Sequence, residues 1–134
     1  MKLVADTNIL FGFFLESSFT RKFLLNTSIN VVSSEKAIKE LRKYSKLIME
    51  KTGLNKNGFE KKLFNLKKII KFENKKEYLP YLAEAEKISP DKDDSDFLAL
   101  CLKYSCFLWS NDRLLKLQNN VKVFTTREII ELLS

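Results

Sequence analysis

Short apolar runs alternate with longer stretches of helical periodicity along the chain. Five of these runs have the length and composition of buried β-strands, namely KLVAD, INVVSS, IIKF, CFLWS and VKVFT. The stretches between them repeat apolar residues every three or four positions, as helices with one buried face do. No β-hairpin turn joins two of the strands. The pattern therefore predicts one domain over residues 1–134, a three-layer α/β/α sandwich around a central parallel β-sheet of four or five strands.

Two amphipathic helices are predicted in the middle of the chain. The first spans roughly residues 34–51 after a serine cap, and its expected inner face consists of Ala37, Leu41, Tyr44 and Ile48. The second spans residues 59–69, and its expected inner face consists of Phe59, Leu63, Leu66 and Ile70. Further helices are expected at residues 8–16, 18–27, 78–88, 95–104, 111–117 and 126–133.

The composition limits the chemistry that is possible. Apolar residues make up 45% and charged residues 31%, which is typical of a globular protein. No window approaches the ~18 consecutive apolar residues of a membrane span, and the first residues do not resemble a secretory leader, so we expect a cytoplasmic protein. The chain has no histidine, which excludes Ser–His and Cys–His nucleophile pairs. Hydrolysis would have to use carboxylates, Lys, Tyr or metal-bound water.

The positive charge is concentrated in one segment. The formal net charge is +7. Residues 42–76 contain twelve Lys or Arg and three Glu, a net charge of +9, so the remainder of the chain is slightly acidic. A lysine-rich segment is often only a solvated helix face. A positive lobe beside an acidic cluster would instead indicate a polyanionic substrate.

Several acidic residues are expected at one edge of the sheet. Asp6 closes the first strand, and Asp112 follows the fourth. Both point to the edge where the carboxyl ends of parallel strands meet, which is where such sheets bind ligands. The other candidates lie at the start of the helix before the fourth strand or on the helix after the second strand; they are Asp93, Asp94, Asp96 and Glu40.

Each of these acidic residues alone could serve a structural purpose, such as a helix cap or a surface ion pair. A cluster of carboxylates is different, because like charges in one pocket repel, raise one another's pKa and cost stability. A divalent cation removes that repulsion. Since carboxylate oxygens and water are the preferred ligands of Mg²⁺ and Mn²⁺, the cluster indicates one of these ions as a cofactor.

Three segments resemble the signature segments of PIN-domain nucleases: VADTNIL, SEKAIKELRKY and DDSDFLALCLKYSCFLWSNDRLLK. The resemblance implies four catalytic, metal-binding positions, matched by Asp6, Glu40, Asp94 and Asp112. The family's usual interval of about eighteen residues before the last of them lands on Asp94. Asp96 is the alternative for this position and Asp93 a weaker one.

The same resemblance implies supporting and binding residues. Asn8 and Ser110 would hold metal-bound water or orient the carboxylates that lie two residues from them. The basic segment would contact the phosphate backbone of a nucleic acid. The lysines expected to do so are Lys43, Lys61, Lys62, Lys67 and Lys68.

The activity implied by the resemblance is that of an endoribonuclease that uses Mg²⁺ or Mn²⁺ to hydrolyse single-stranded RNA. Many small relatives are toxins of toxin–antitoxin pairs, so the expected partners are single-stranded RNA, an antitoxin protein and a second copy in a homodimer. A membrane is not expected to be a partner.

Two other functions are compatible with parts of the pattern. A haloacid-dehalogenase-like phosphatase also places an Asp after its first strand, but it needs a second Asp where this chain has Asn8. A non-catalytic domain that binds RNA or acts as a scaffold in RNA processing could retain the same fold. A metal-dependent cleavage assay separates this second alternative from the nuclease.

Overall fold

The computed structural model describes residues 1–15, 18–26 and 28–133, and a parallel β-sheet lies at its centre. The sheet has five strands, which confirms the upper of the two expected numbers. In chain order these are β1 (Lys2–Ala5), β2 (Asn30–Ser34), β3 (Lys71–Glu73), β4 (Phe107–Trp109) and β5 (Val123–Phe124). Their order across the sheet is β3-β2-β1-β4-β5, and every neighbouring pair is parallel.

Helices flank this sheet, so the predicted α/β class is confirmed. They are α1 (Thr7–Phe14), α2 (Ser18–Leu24), α3 (Glu35–Lys43), α4 (Ser45–Thr52), α5 (Lys56–Ile69), α6 (Lys75–Ile88), α7 (Ser95–Tyr104) and α8 (Thr126–Leu133). Short 3₁₀ helices cover Lys92–Asp94 and Arg113–Leu117. Among the described residues, no helix combines the length and the apolarity needed to cross a membrane.

The central strand β1 is buried along most of its length. Leu3, Val4 and Ala5 are inaccessible to solvent, because β2 and β4 pair with the two edges of β1 and α7 packs against it. This explains why the strand reads as a continuous apolar run rather than as an alternating pattern. The buried strand also fixes the position of the residue that follows it, Asp6.

The order of the strands reverses at β1. The connections first run from β1 to β2 and β3 on one side, and later to β4 and β5 on the other. Open parallel sheets bind ligands beyond the carboxyl ends of the strands at such a reversal. Asp6 directly follows β1 and Ser110 directly follows β4, so both residues lie at this reversal. The Asp6 amide donates a hydrogen bond to the Trp109 carbonyl at 3.3 Å, which keeps the two strand ends together.

The prediction of a single helix over residues 34–51 is wrong. The chain forms α3 and α4 instead, and Tyr44 lies between them with φ −99° and ψ 18°. The break leaves Ala37, Leu41 and Ile48 buried as expected, but it turns Tyr44 outward, and 42% of that residue is exposed. Apolar spacing predicted the buried positions on both sides of the break, and it contained no signal for the break itself.

Other boundaries differ from the expected ones for local reasons. Helices α5 and α6 begin three residues earlier than predicted, because the side chains of Asn55 and Asn74 cap them. Within the short helix predicted at residues 111–117, a 3₁₀ helix covers Arg113–Leu117. The expected ends of the first two helices, at residues 16 and 27, lie outside the described residues.

Helix α5 allows a matched test of this packing. Phe59 is 2% exposed and stacks on Phe14 with ring centroids 5.1 Å apart, whereas Phe64 on the same helix is 59% exposed. We predict that Phe59→Ala lowers the free energy of unfolding by about 3–5 kcal/mol, since it removes buried surface and leaves a cavity. Phe64→Ala should change it by less than about 0.5 kcal/mol. Urea unfolding measures both, and equal losses would contradict the packing of α5.

Candidate active site

Asp6 is a buried carboxylate at the reversal point of the sheet. Only 4% of the residue is exposed, and its Oδ1 accepts a hydrogen bond from the Ile9 amide at 3.0 Å. It therefore does cap α1. Its pKa is raised to about 6, chiefly by burial, with the charges of Asp112 and Glu40 acting in the same direction and hydrogen bonds from Ser110 and Ile9 opposing the shift. The cap and the electrostatic contact with distant carboxylates are thus both present.

Asp112 approaches Asp6 from the end of β4. Ser110 is fully buried, and its Oγ accepts a hydrogen bond from the Asp112 amide at 3.1 Å. The Oδ1 of Asp112 caps the following 3₁₀ helix by accepting from the Leu114 amide at 3.0 Å. Ser110 therefore lies between the two carboxylates, bonded to the backbone of one and to the side chain of the other.

Asp94 is the residue before α7 that interacts electrostatically with this pair. Its pKa is raised to about 7, chiefly by burial, with the charges of Asp6, Asp91 and Asp112 acting in the same direction and Lys36 opposing. The charge of Asp112 raises the pKa values of both Asp6 and Asp94, as it would if the three carboxyl groups shared one pocket.

The two alternatives to Asp94 have other partners. Asp96 accepts a hydrogen bond from the Tyr78 hydroxyl at 2.5 Å and lies 3.7 Å from the Lys36 ammonium. Asp93 is exposed, and its carbonyl accepts a hydrogen bond from Lys36. Asp96 therefore contacts α6 and α3, and its carboxylate already has a hydrogen-bond donor and a cation as partners.

Glu40 reaches the same edge from α3. Its Oε1 accepts a hydrogen bond from the Thr7 hydroxyl at 2.9 Å, and its charge contributes to the raised pKa of Asp6. Thr7 itself was not among the predicted site residues, although its position directly after Asp6 could have indicated it. Asn8, predicted as a supporting residue, is exposed in the first turn of α1.

A family model of the PIN domain matches residues 4–134 of this chain. The chain belongs to the PIN-domain family. No curated protein matches the sequence closely enough to count as a relative. PIN domains are generally nucleases, and they typically use divalent metals. The family assignment removes the haloacid-dehalogenase alternative, which the sequence had left open.

Asp6, Glu40, Asp94 and Asp112 lie at one edge of the sheet, which we call the acidic edge. The chemistry of these side chains suits a hard divalent cation. All four predicted ligands are carboxylates, which Mg²⁺ and Mn²⁺ prefer. Two of them have raised pKa values because they are buried near other negative charges, and a bound cation would reverse that effect. Within the described ranges, however, no three acidic or cysteine side chains converge closely enough to hold a metal ion as they stand.

The predicted nucleic-acid-binding lysines fall into two groups. Lys43, Lys61, Lys67 and Lys68 are exposed. Lys62 is partly buried instead, and its ammonium donates to the Phe14 carbonyl at 3.4 Å, at the end of α1. An ion pair between Arg42 and Glu60, at 2.5 Å, joins α3 to α5. The basic helix α5 therefore lies beside the helix that carries Glu40.

The raised pKa values generate a prediction for stability. A carboxyl group whose pKa is higher in the folded state than in the unfolded state contributes stability at a pH below its unfolded pKa, which is near 4. That contribution is lost as the pH rises through the folded pKa. For Asp6 that window runs from about 4 to about 6. We predict that metal-free Asp6→Asn gains stability relative to the wild type between pH 4.5 and 7.5, by about 1–2 kcal/mol. Urea unfolding in EDTA measures the difference.

Glu128→Gln is the control for this experiment. Lys116 and the Thr125 backbone lower the pKa of Glu128 to about 2, so its contribution is already complete above pH 4.5. The difference between Glu128→Gln and the wild type should therefore stay constant over the same range. A constant difference for Asp6→Asn as well would mean that Asp6 carries no electrostatic strain.

Proposed function

We propose that this PIN domain is an endoribonuclease that hydrolyses phosphodiester bonds of single-stranded RNA with a bound Mg²⁺ or Mn²⁺. The observation that carries the proposal is the electrostatic coupling of carboxylates from separate elements at the reversal point of the sheet. Asp6 follows β1, Glu40 belongs to α3, Asp94 precedes α7 and Asp112 follows β4. Their charges act on the pKa values of Asp6 and Asp94.

The residues of the chain have separate tasks in this proposal. Asp6, Asp94 and Asp112 hold the cation, and Glu40 completes the set. The Thr7 hydroxyl keeps one oxygen of Glu40 directed toward α1. When bound, the cation would neutralise the phosphodiester and lower the pKa of water for attack, which suits a chain that has no histidine. We assign the third ligand to Asp94 rather than Asp96, because Tyr78 and Lys36 already occupy the carboxylate of Asp96.

A polyanionic substrate is supported by the arrangement of charge. Helix α5 carries exposed lysines and is joined by the Arg42–Glu60 ion pair to α3, the helix that carries Glu40. Its positive charge is therefore on an element next to one that contributes to the acidic edge. Exposed lysines attract a phosphate backbone without reading its sequence. The likeness to small toxin-type nucleases adds an antitoxin protein and a second copy of the chain as partners in the proposal, and a small DNA-binding protein encoded directly upstream would support the toxin function.

One observation favours a second candidate, a non-catalytic PIN domain that binds RNA. No ready metal site exists among the described side chains. A domain that had lost catalysis would bind RNA through α5 and show no dependence on metal. The cleavage assay below separates the two candidates.

The first test concerns the metal and the choice of ligand. We predict that single-stranded RNA is cut with Mn²⁺ or Mg²⁺ and not with EDTA. Asp94→Asn should reduce the rate at least ~100-fold, because a lost metal ligand costs more than a lost supporting residue. Asp93→Asn is the matched control one position earlier, and it should cut as the wild type does. Cleavage that persists after thorough chelation would refute the mechanism.

Thermal melts give a second measure that does not depend on turnover. Mn²⁺ should raise the melting temperature of the wild type by mass action, because it binds the folded state. At a Mn²⁺ concentration one hundred times the dissociation constant, the stabilisation is about 2.7 kcal/mol. Asp94→Asn and Asp6→Asn should show much smaller shifts, while Asp93→Asn keeps the full shift. Equal shifts in all four proteins would place the cation elsewhere.

A third test concerns the basic surface. If Lys61, Lys67 and Lys68 contact phosphates, changing all three to Gln should weaken binding to every single-stranded sequence. The slope of log affinity against log salt should fall by about 0.7 for each lost contact. The control changes three exposed lysines outside residues 42–76, Lys22, Lys87 and Lys122, and should leave the slope unchanged. Equal slopes in the two triple variants would show that the α5 lysines face solvent and do not contact the RNA phosphates.

A further inference from the structure

Tyr44 is an exposed aromatic residue at the junction of α3 and α4. It ends one helix and begins the next, and 42% of it is accessible to solvent. The apolar periodicity of this segment assigns the position to the core, yet the chain bends there and turns the ring outward. A large exposed ring at a bend, beside a polar site, is a feature that the packing of the core does not require.

Two contacts between α1 and α3 lie one above the other. Thr7 donates to Glu40, and one turn further along each helix the rings of Phe11 and Tyr44 meet with centroids 6.2 Å apart. Residues four apart lie on the same face of a helix. Tyr44 is therefore displaced from Glu40 by about one helical turn, or ~6 Å, along the strip where the two helices face each other.

The chemistry around Tyr44 suits a nucleotide. The Lys43 ammonium lies 5.6 Å from the centre of the Tyr44 ring, so a positive charge and an aromatic face are available together. Exposed aromatic rings stack with unpaired bases of any sequence, and neighbouring cations contact the phosphates. The faces of a base inside a duplex are covered by its neighbours. An aromatic platform beside the catalytic carboxylates would thus accept single strands and discriminate against duplexes.

We propose that Tyr44 stacks on an unpaired base that flanks the cleaved phosphodiester, while Lys43 contacts its phosphate. The inference rests on the proposed nuclease function and adds a substrate-binding residue to it. Phe11 supports the ring from α1, and Glu40 fixes its distance from the acidic edge. Single-strand selectivity is then a property of the bend between α3 and α4.

The direct experiment changes the substrate and leaves the protein intact. A set of short single-stranded RNAs carries one abasic site each, at successive positions across the cleavage site of the wild type. Binding is measured by fluorescence polarisation in EDTA, and KM and kcat are measured with Mn²⁺. We expect one position at which removal of the base weakens binding and raises KM about five- to a hundredfold, the loss that follows from one missing stack.

The protein variants then identify the residue that makes the stack. Tyr44→Ala should bind intact RNA as weakly as the wild type binds the abasic RNA, and the two changes together should cause no further loss. Tyr44→Phe should behave as the wild type does, because it keeps the ring. Tyr81→Ala is the matched control, since Tyr81 is 36% exposed on α6. Its affinity should be unchanged.

The possible failures are distinguishable. Thermal melts of Tyr44→Ala and Tyr44→Phe show whether the variants fold, and the abasic series with the wild type does not depend on that. If the wild type cuts RNA but no abasic position matters, the stacking proposal is wrong and the nuclease proposal stands. The same holds if the sensitive position responds to Phe64→Ala instead of Tyr44→Ala. If the wild type neither binds nor cuts RNA, both proposals fail.

Discussion

The buried carboxylate at the end of the central strand is the constraint on which the site depends. Strand β1 has no solvent-facing side, so the chain that leaves it must place Asp6 close to the core. The α1 amide bonded to Asp6 and the Ser110 hydroxyl hold that carboxylate in place. Everything else at the acidic edge is arranged around this fixed negative charge, including the Thr7–Glu40 bond on one side and Ser110 with Asp112 on the other.

The clustering of carboxylates at the acidic edge affects the stability of the metal-free fold. Like charges brought together at the edge of a packed sheet raise each other's pKa and destabilise the metal-free fold at neutral pH. The protein tolerates this because the cluster lies on a rigid frame. Leu3, Val4 and Ala5 are fully buried beneath it, and α7 packs across three of the five strands. Rigid elements hold functional side chains near a productive geometry better than loops do.

Much of this architecture could be predicted from the sequence, because its signals are local. Continuous apolar runs mark strands that are covered on both faces, and a carboxylate directly after such a run, as at Asp6, must lie at the carboxyl edge of a parallel sheet. The acidic positions after β1, on α3 and after β4 needed no knowledge of distant contacts. The resemblance to the PIN-domain family indicated Asp94 for the remaining position, with Asp96 and Asp93 as alternatives.

The features that escaped prediction depend on residues far apart in the chain. Asp94 and Asp96 lie two residues apart in the sequence, but Asp96 contacts the Tyr78 hydroxyl from α6 and the Lys36 ammonium from α3, whereas Asp94 interacts with the charges of Asp6 and Asp112. Lys62 cannot be distinguished from its neighbouring lysines in the sequence, but in the structure it donates a hydrogen bond to the Phe14 carbonyl at the end of α1. Tyr44 fits the apolar stripe of one long helix, and only the bend that starts α4 turns it toward solvent. Tertiary contacts overrode local pattern at each of these positions.

The hydrogen bonds around Tyr78 have a consequence for local unfolding. Because the Tyr78 proton goes to Asp96, Ser34 donates to the Tyr78 oxygen, and the same Ser34 caps α3 by accepting from the Lys36 amide. One phenol group therefore connects β2, α6 and the first turn of α7. An opening of α6 that breaks these bonds releases the cap of α3 and the start of α7 in the same event. Their amide hydrogens should exchange with solvent as one cooperative unit, so the elements that position Glu40 and Asp94 would open together.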